Sequence, residues 1–78
     1  MIKKRSYFKD ERECRDMEIM NCNDYIGDIV SSRWVNYLGC YEMTVEFDSK
    51  EEVKLFCDTY GYKVSRIGGG DILKRLGA

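Results

Sequence analysis

The side chains that most often carry catalysis are scarce in this chain or poorly placed for it. Its 78 residues include no histidine, the most common general acid or base in enzymes. Acidic residues are plentiful, but Glu51 and Glu52 fall on the solvated side of a predicted helix. Glu13, Asp16 and Glu18 belong to a run of charged residues. We therefore predict that this protein is not an enzyme.

The four cysteines, Cys14, Cys22, Cys40 and Cys57, show no metal-binding or redox spacing. No pair is separated by two residues, as a zinc ribbon or a thiol-redox motif requires. No candidate base is visible that could activate a thiol as a nucleophile. The simplest interpretation is that they are small apolar residues, and we predict no metal and no cofactor. A four-cysteine metal site and a disulfide framework stay open as alternatives.

The glycines at 68–70 precede Asp71 in an arrangement that invites comparison with a phosphate-binding loop. The lysine that follows such a loop is missing, and Asp71 puts a carboxylate where the anion would lie. We instead interpret the glycines as a hinge, followed by an amphipathic helical turn over residues 71–76 with Asp71 as its N-cap.

The segment from Tyr41 to Ile67 predicts a strand, a helix and a second strand. Apolar and polar residues alternate from Tyr41 to Phe47, as in a strand with one buried face. Ser49 and Glu52 have the spacing of a capping box, and Gly61 suits a left-handed C-cap. Between them, one apolar stripe follows helical spacing: Val53, Phe56, Cys57 and Tyr60. The strand resumes at residues 62–67. We expect the stripe to be buried against apolar residues of the two strands: Tyr41, Met43, Val45, Phe47 and Val64.

The remaining chain gives weaker signals. Residues 3–8 could form a first strand or a frayed arm, and residues 9–16 an exposed helical turn or a loop. Residues 17–22 fit either a strand or a helix. We predict strands over 24–30 and 33–38, broken near Gly27 and at Ser31–Ser32.

Together these elements predict a single domain, residues 1–78, of the α+β class. Its two layers would be an antiparallel sheet of four or five strands and one main helix, about residues 49–60, on one face. A chain of this length has no room for a second core.

Composition excludes several classes of function. The net charge is −1 with both signs mixed along the chain, so we do not expect a strongly basic nucleic-acid binder. No apolar run is long enough to cross a membrane, and residues 1–6 are not followed by the apolar segment of a signal peptide. We expect a cytoplasmic protein, located in the host cytoplasm if it is viral.

The best candidate for function is a protein-binding surface on the sheet face opposite the helix. Tyrosine, tryptophan and arginine dominate binding hot spots, and the proposed contact residues are Trp34, Tyr37, Glu42, Glu46 and Arg66. If 33–38 is a strand, Trp34 and Tyr37 point to opposite faces, so one of them should be on the outer face. A core tryptophan with scattered tyrosines is the alternative, and a homodimer stays open.

A rival interpretation places nucleic acid on a basic edge near the C-terminus. Its contacts would be Lys63, Arg66, Lys74 and Arg75, with Tyr62 as a stacking platform. The sequence pI of about 5.4 counts against it.

Parts of the chain resemble a known family. Arg33-Trp34, Gly39 and the capped segment that runs from Phe47 to Val64 resemble the eighteen-kilodalton accessory subunit of respiratory complex I, over about residues 33–64. The resemblance implies an α+β fold and a non-catalytic, protein-binding role. In size and lack of catalytic residues, the chain is also similar to small phage-encoded inhibitors of the anti-CRISPR type.

Our functional hypothesis is therefore a non-enzymatic protein-binding module. Its most specific form is a phage or mobile-element inhibitor that occludes a functional surface of a host protein complex. An accessory subunit of a larger complex and a small nucleic-acid-binding domain are the alternatives.

Overall fold

The computed structural model describes the backbone of residues 1–67 and 70–75, and the side chains of residues 1–64 and 72–74. Its elements in chain order are β1 (Ile2–Phe8), α1 (Glu11–Asp24), β2 (Asp28–Val35), β3 (Cys40–Phe47), α2 (Lys50–Tyr60), β4 (Tyr62–Ile67) and β5 (Gly70–Arg75).

The five strands form one sheet in the order β2-β3-β1-β5-β4. β1 pairs in parallel with β5, and the other neighbouring pairs are antiparallel. The predicted α+β architecture of two layers is confirmed. The sheet is mixed rather than wholly antiparallel, because the chain crosses over β1 between β3 and β4 and returns in β5.

Both helices connect parallel strands, which explains why they share one face of the sheet. α1 links β1 to β2, and α2 links β3 to β4. Such crossovers are right-handed. The unit β3-α2-β4 starts on a strand antiparallel to β1, and it crosses the sheet in the direction opposite to that of β1-α1-β2. These two reversals cancel, so the same handedness places both helices on one side of the sheet. The uncovered side is called the outer face below.

α2 forms as the sequence predicts. The Ser49 side chain accepts a hydrogen bond from the Glu52 amide (3.3 Å), and the Glu52 carboxylate accepts one from the Asp48 amide (3.3 Å). At the other end, Gly61 has a φ of 72° and its amide bonds to the Cys57 carbonyl. These bonds satisfy backbone groups that a helix end leaves unpaired.

α1 is a second helix that the sequence left undecided. Asp10 caps it by accepting a hydrogen bond from the Glu13 amide (3.0 Å). Its buried stripe is narrow, with only Cys14, Met17 and Asn21 facing the sheet. Because charged residues fill most of the other positions, the helical period was weak. The predicted strand over 24–30 is right only for its last three residues, because α1 continues to Asp24 and β2 begins at Asp28.

The region between α1 and β3 is also arranged differently from the prediction. β2 runs unbroken through Ser31 and Ser32, with a bulge in its pairing to β3 between Ile29 and Ser31. A turn begins after Val35, so residues 36–38 are not part of a strand.

A single apolar cluster joins the two helices to the sheet. Its largest fully buried members are Phe47, Phe56, Met17, Met43 and Leu73. The Phe47 and Phe56 rings meet edge to face at 5.3 Å. The predicted packing of α2 on β3 is confirmed, with Cys57 and Tyr60 half-buried at its margin.

Three predictions near the C-terminus are wrong. Tyr62 is buried against Phe8 and Phe56, so it is no stacking platform. Val64, expected in the core, is exposed because β4 is an edge strand. The segment Gly70–Arg75 is a strand rather than a helical turn, since Leu73 fills a fully buried core position. Residues 68, 69 and 76 lie outside the described part of the chain.

Candidate functional site

A buried carboxylate organises the outer face of the sheet. Glu42 of β3 lies directly opposite Tyr7 of β1 and Arg33 of β2, and paired residues share a face. The Tyr7 hydroxyl donates to Glu42 Oε2 (2.9 Å), and Arg33 Nε donates to Oε1 (3.2 Å). Only 5% of Glu42 is exposed. The sequence placed Glu42 correctly on the outer face, where the structure buries its side chain.

The Glu42 cluster keeps Tyr7 protonated. Burial, the hydrogen bond to Glu42 and the charge of Glu42 raise the pKa of Tyr7 to about 12, and Tyr37 lies near enough to add to the rise. Tyr7 therefore remains a donor at neutral pH, and the carboxylate keeps both partners. The Arg33 side chain is 66% exposed, so its guanidinium is fixed at one nitrogen and open to solvent elsewhere.

The turn that joins β2 to β3 exposes apolar groups beside this cluster. The exposed fractions are 49% for Trp34, 84% for Tyr37 and 48% for Leu38. Trp34 is held in place, because its indole Nε1 donates to Asn36 Oδ1 (2.7 Å) and its ring lies 6.1 Å from that of Tyr41. We call Arg33, Trp34, Tyr37 and Leu38 the hairpin patch.

The predicted contact residues do not share one face. Trp34 pairs with Tyr41, which packs on the core, so Trp34 points to the helix side at the sheet edge. Tyr37 is in the turn and reaches toward the outer face, where Glu42 is buried and Glu46 is half-buried. The Arg66 side chain lies outside the described residues. The hairpin patch therefore wraps around the end of the sheet.

Sequence reasoning missed Tyr7, Arg33 and Leu38 as parts of the site. Tyr7 was uncertain because residues 3–8 could have been a strand or an arm. In a strand, Tyr7 and Phe8 point to opposite faces. Had residues 3–8 been assigned as a strand with Phe8 in the core, this alternation would have placed Tyr7 on the outer face. Its pairing with Glu42, 35 positions away, has no local signature.

The cysteine thiols offer little chemistry. All four are free. Burial is the largest cause that raises the pKa of Cys14, Cys40 and Cys57, which disfavours the reactive thiolate. Among the described residues, no group of three or more Cys, Asp or Glu side chains is arranged to hold a metal ion. No helix in that part of the chain is long and apolar enough to span a membrane.

Comparison of the chain with protein-family models, with curated proteins and with solved structures finds no match. The resemblances to the complex I accessory subunit and to small phage inhibitors therefore stay predictions.

Proposed function

We propose that this protein is a non-enzymatic protein-binding module and that its partner docks on the hairpin patch. The observation that carries the proposal is the exposure of Trp34, Tyr37 and Leu38 within five consecutive positions. Aromatic residues and arginine supply most of the energy at protein interfaces, and the patch combines both. Apolar side chains left in water contribute no hydrophobic stabilisation to the free protein, whereas a partner that covers them would gain it.

Preorganisation supports the same function. Binding costs less when side chains are already ordered in the free protein. The Trp34 indole is fixed by Asn36, and Arg33 is fixed by Glu42. Glu42 is in turn held by Tyr7, so the patch rests on a hydrogen-bonded support built from three strands.

The thiols of Cys14, Cys40 and Cys57 and the Glu42 carboxylate are poorly suited to catalysis, which supports a role without it. The chain has no histidine, and three of its cysteines have a raised pKa. The buried Glu42 carboxylate on the outer face accepts hydrogen bonds from two donors. These groups can hold a surface in shape, but they are not arranged to activate a substrate.

Affinity capture with matched variants tests the proposal. The wild-type protein, Trp34→Ala, Tyr37→Ala and Leu55→Ala would be immobilised and exposed to lysate of the cells in which the chain functions. Leu55 is the control, because it is an apolar side chain of similar exposure (53%) on α2. A captured protein is then purified and titrated against each variant.

A partner of the hairpin patch should bind wild type and Leu55→Ala equally. Loss of a hot-spot aromatic costs about 2 kcal/mol or more, so Trp34→Ala and Tyr37→Ala should each bind about 30-fold more weakly. If every captured partner binds wild type and the three variants with equal affinity, the hairpin patch is not the docking surface. Turnover of a metabolite by the purified protein would contradict the non-enzymatic part.

The narrower form of the proposal is an inhibitor, of phage or mobile-element origin, that occludes a functional surface of a host complex. It predicts that the captured complex loses activity when it is saturated with wild type and keeps it with Trp34→Ala. An accessory subunit would leave that activity unchanged or increase it.

A further inference from the structure

The outer face also carries cations that the proposed docking surface does not use. On β1, Lys3 and Arg5 alternate with buried Lys4 and Ser6 and therefore point away from the helices. Together with two lysines of β4 and β5, they form a set of four exposed cations on three neighbouring strands. These cations are Lys3, Arg5, Lys63 and Lys74. We call these four residues the cation surface.

Strand register brings the two ends of the chain together in this surface. Leu73 is fully buried under the helices, so Lys74, the next residue of β5, points to the outer face. Lys63 of β4 is directly opposite Lys74. Ser6 pairs with Leu73 across β1 and β5, so one step further Lys74 lies beside Tyr7.

The facing lysines break a local rule of sheet stability. Like charges directly opposite on antiparallel strands repel and destabilise the pair. Such conflicts are expected where a function compensates for them. An anion bound between Lys63 and Lys74 would convert the repulsion into attraction, and Arg5 on the adjacent strand extends the positive region toward the middle of the sheet.

Among the side chains that the structure describes, the carboxylates of the outer face lie on the other side of the sheet. Glu42 and Glu46 lie on β3, and Asp28 begins β2 at the edge. Lys3, opposite Glu46, marks the border. Arg33 is the cation of β2, and it is paired with Glu42. A polyanion is therefore attracted over β4, β5 and β1, and it is repelled by Glu46 and Asp28 on β3 and β2. The net charge of −1 conceals this pattern.

We propose that the cation surface binds single-stranded nucleic acid through its phosphate backbone. Three of the four cations are lysines, which bind phosphate as point charges, and the fourth is an arginine, whose guanidinium can bind phosphate through two hydrogen bonds. The strip is open, and the half-buried Tyr7 ring borders it beside Lys74. Single strands bind such positively charged tracks with aromatic groups alongside. This surface is separate from the hairpin patch.

A fluorescence anisotropy titration tests the inference. The probe is a fluorescein-labelled oligo(dT) of about 16 nucleotides, the upper end of the site size of one single-strand-binding fold. The proteins are wild type, Lys3→Gln/Lys74→Gln and Lys50→Gln/Lys54→Gln. The last is a matched control, since it removes two exposed lysines of α2 and changes the net charge equally. Circular dichroism would establish that all three are folded.

Four phosphate contacts should make wild-type affinity fall about 600-fold between about 20 and about 200 mM salt, since each contributes about −0.7 to the logarithmic slope. The cation-surface variant, with two contacts, should fall only about 25-fold and bind more weakly at low salt. The control should match wild type.

The inference would be overturned by no binding at low salt, by equal loss in the two double variants, or by competition from polyglutamate as strong as that from unlabelled oligo(dT) at equal charge. The last would assign the surface to an acidic protein. Tighter binding of a duplex than of the single strand would also contradict it.

Discussion

Replacing Glu42 by alanine should lower the free energy of unfolding by about 1.5 kcal/mol. The change leaves the half-buried Tyr7 hydroxyl without its acceptor, which costs about 1–2 kcal/mol, and it removes a buried methylene worth about 0.8 kcal/mol. The pair with Arg33 adds under about 0.5 kcal/mol, because the arginine is 66% exposed and screened by water. Relief of the carboxylate's own burial offsets part of the total.

Urea denaturation followed by circular dichroism can measure this loss. For a small domain the free energy of unfolding changes by roughly 1 kcal/mol per molar urea, so the midpoint should fall by roughly 1.5 M. The control is Glu46→Ala, on the same strand and the same face, for which we expect a loss under about 0.5 kcal/mol, as at other surface positions. A cycle that combines Glu42→Ala with Tyr7→Phe should give a coupling energy of about 1 kcal/mol, because each change removes one partner of the hydrogen bond.

The reasoning would be refuted if Glu42→Ala were no more destabilising than Glu46→Ala. Glu42 would then be a solvated surface charge, and Arg33 would have no fixed support. A coupling energy near zero would instead mean that Tyr7 and Glu42 act independently, despite the 2.9 Å hydrogen bond between them.

Three further predictions concern the core, the turns and pH. Phe56→Ala should cost about 3–5 kcal/mol in the urea assay, since it leaves a cavity at a fully buried position. Gly27 and Gly39 both have positive φ (75° and 66°). Gly39→Ala should lower the free energy of unfolding by about 1 kcal/mol, since its added Cβ meets nothing within 4 Å. Gly27→Ala should cost clearly more, because its Cβ would lie 2.7 Å from Phe47 Cε1. The pKa of tyrosine is about 10 in the unfolded chain, and that of folded Tyr7 is about 12. The contribution of Tyr7 to stability should therefore be complete below pH 10 and lost as the pH rises to 12. The difference in absorbance between wild type and Tyr7→Phe should show this late ionisation.

Local signals were enough to predict the elements β3, α2 and β4. The strand over 41–47, the cap at Ser49 and the left-handed Gly61 each depend on neighbours within a few positions, and the structure confirms them. α1 was less visible because its buried stripe has only three residues. β5 was misassigned because three glycines and Asp71 suggested a hinge and a cap, whereas burial of Leu73 determines the strand.

The candidate surfaces were harder to predict because they depend on strand order. Periodicity assigns a side chain to one face of its own strand, but it does not say which strand is next. β1 lies between β3 and β5, so Tyr7 meets Glu42 on one side and Lys74 on the other. A row across the outer face thus runs from Lys63 through Lys74, Tyr7 and Glu42 to Arg33, and it joins residues from both ends of the chain. The parallel pairing of β1 with β5 brings the cations of β1 next to those of β4 and β5. The sequence, in which both signs of charge are mixed along the chain, gives no sign of this clustering.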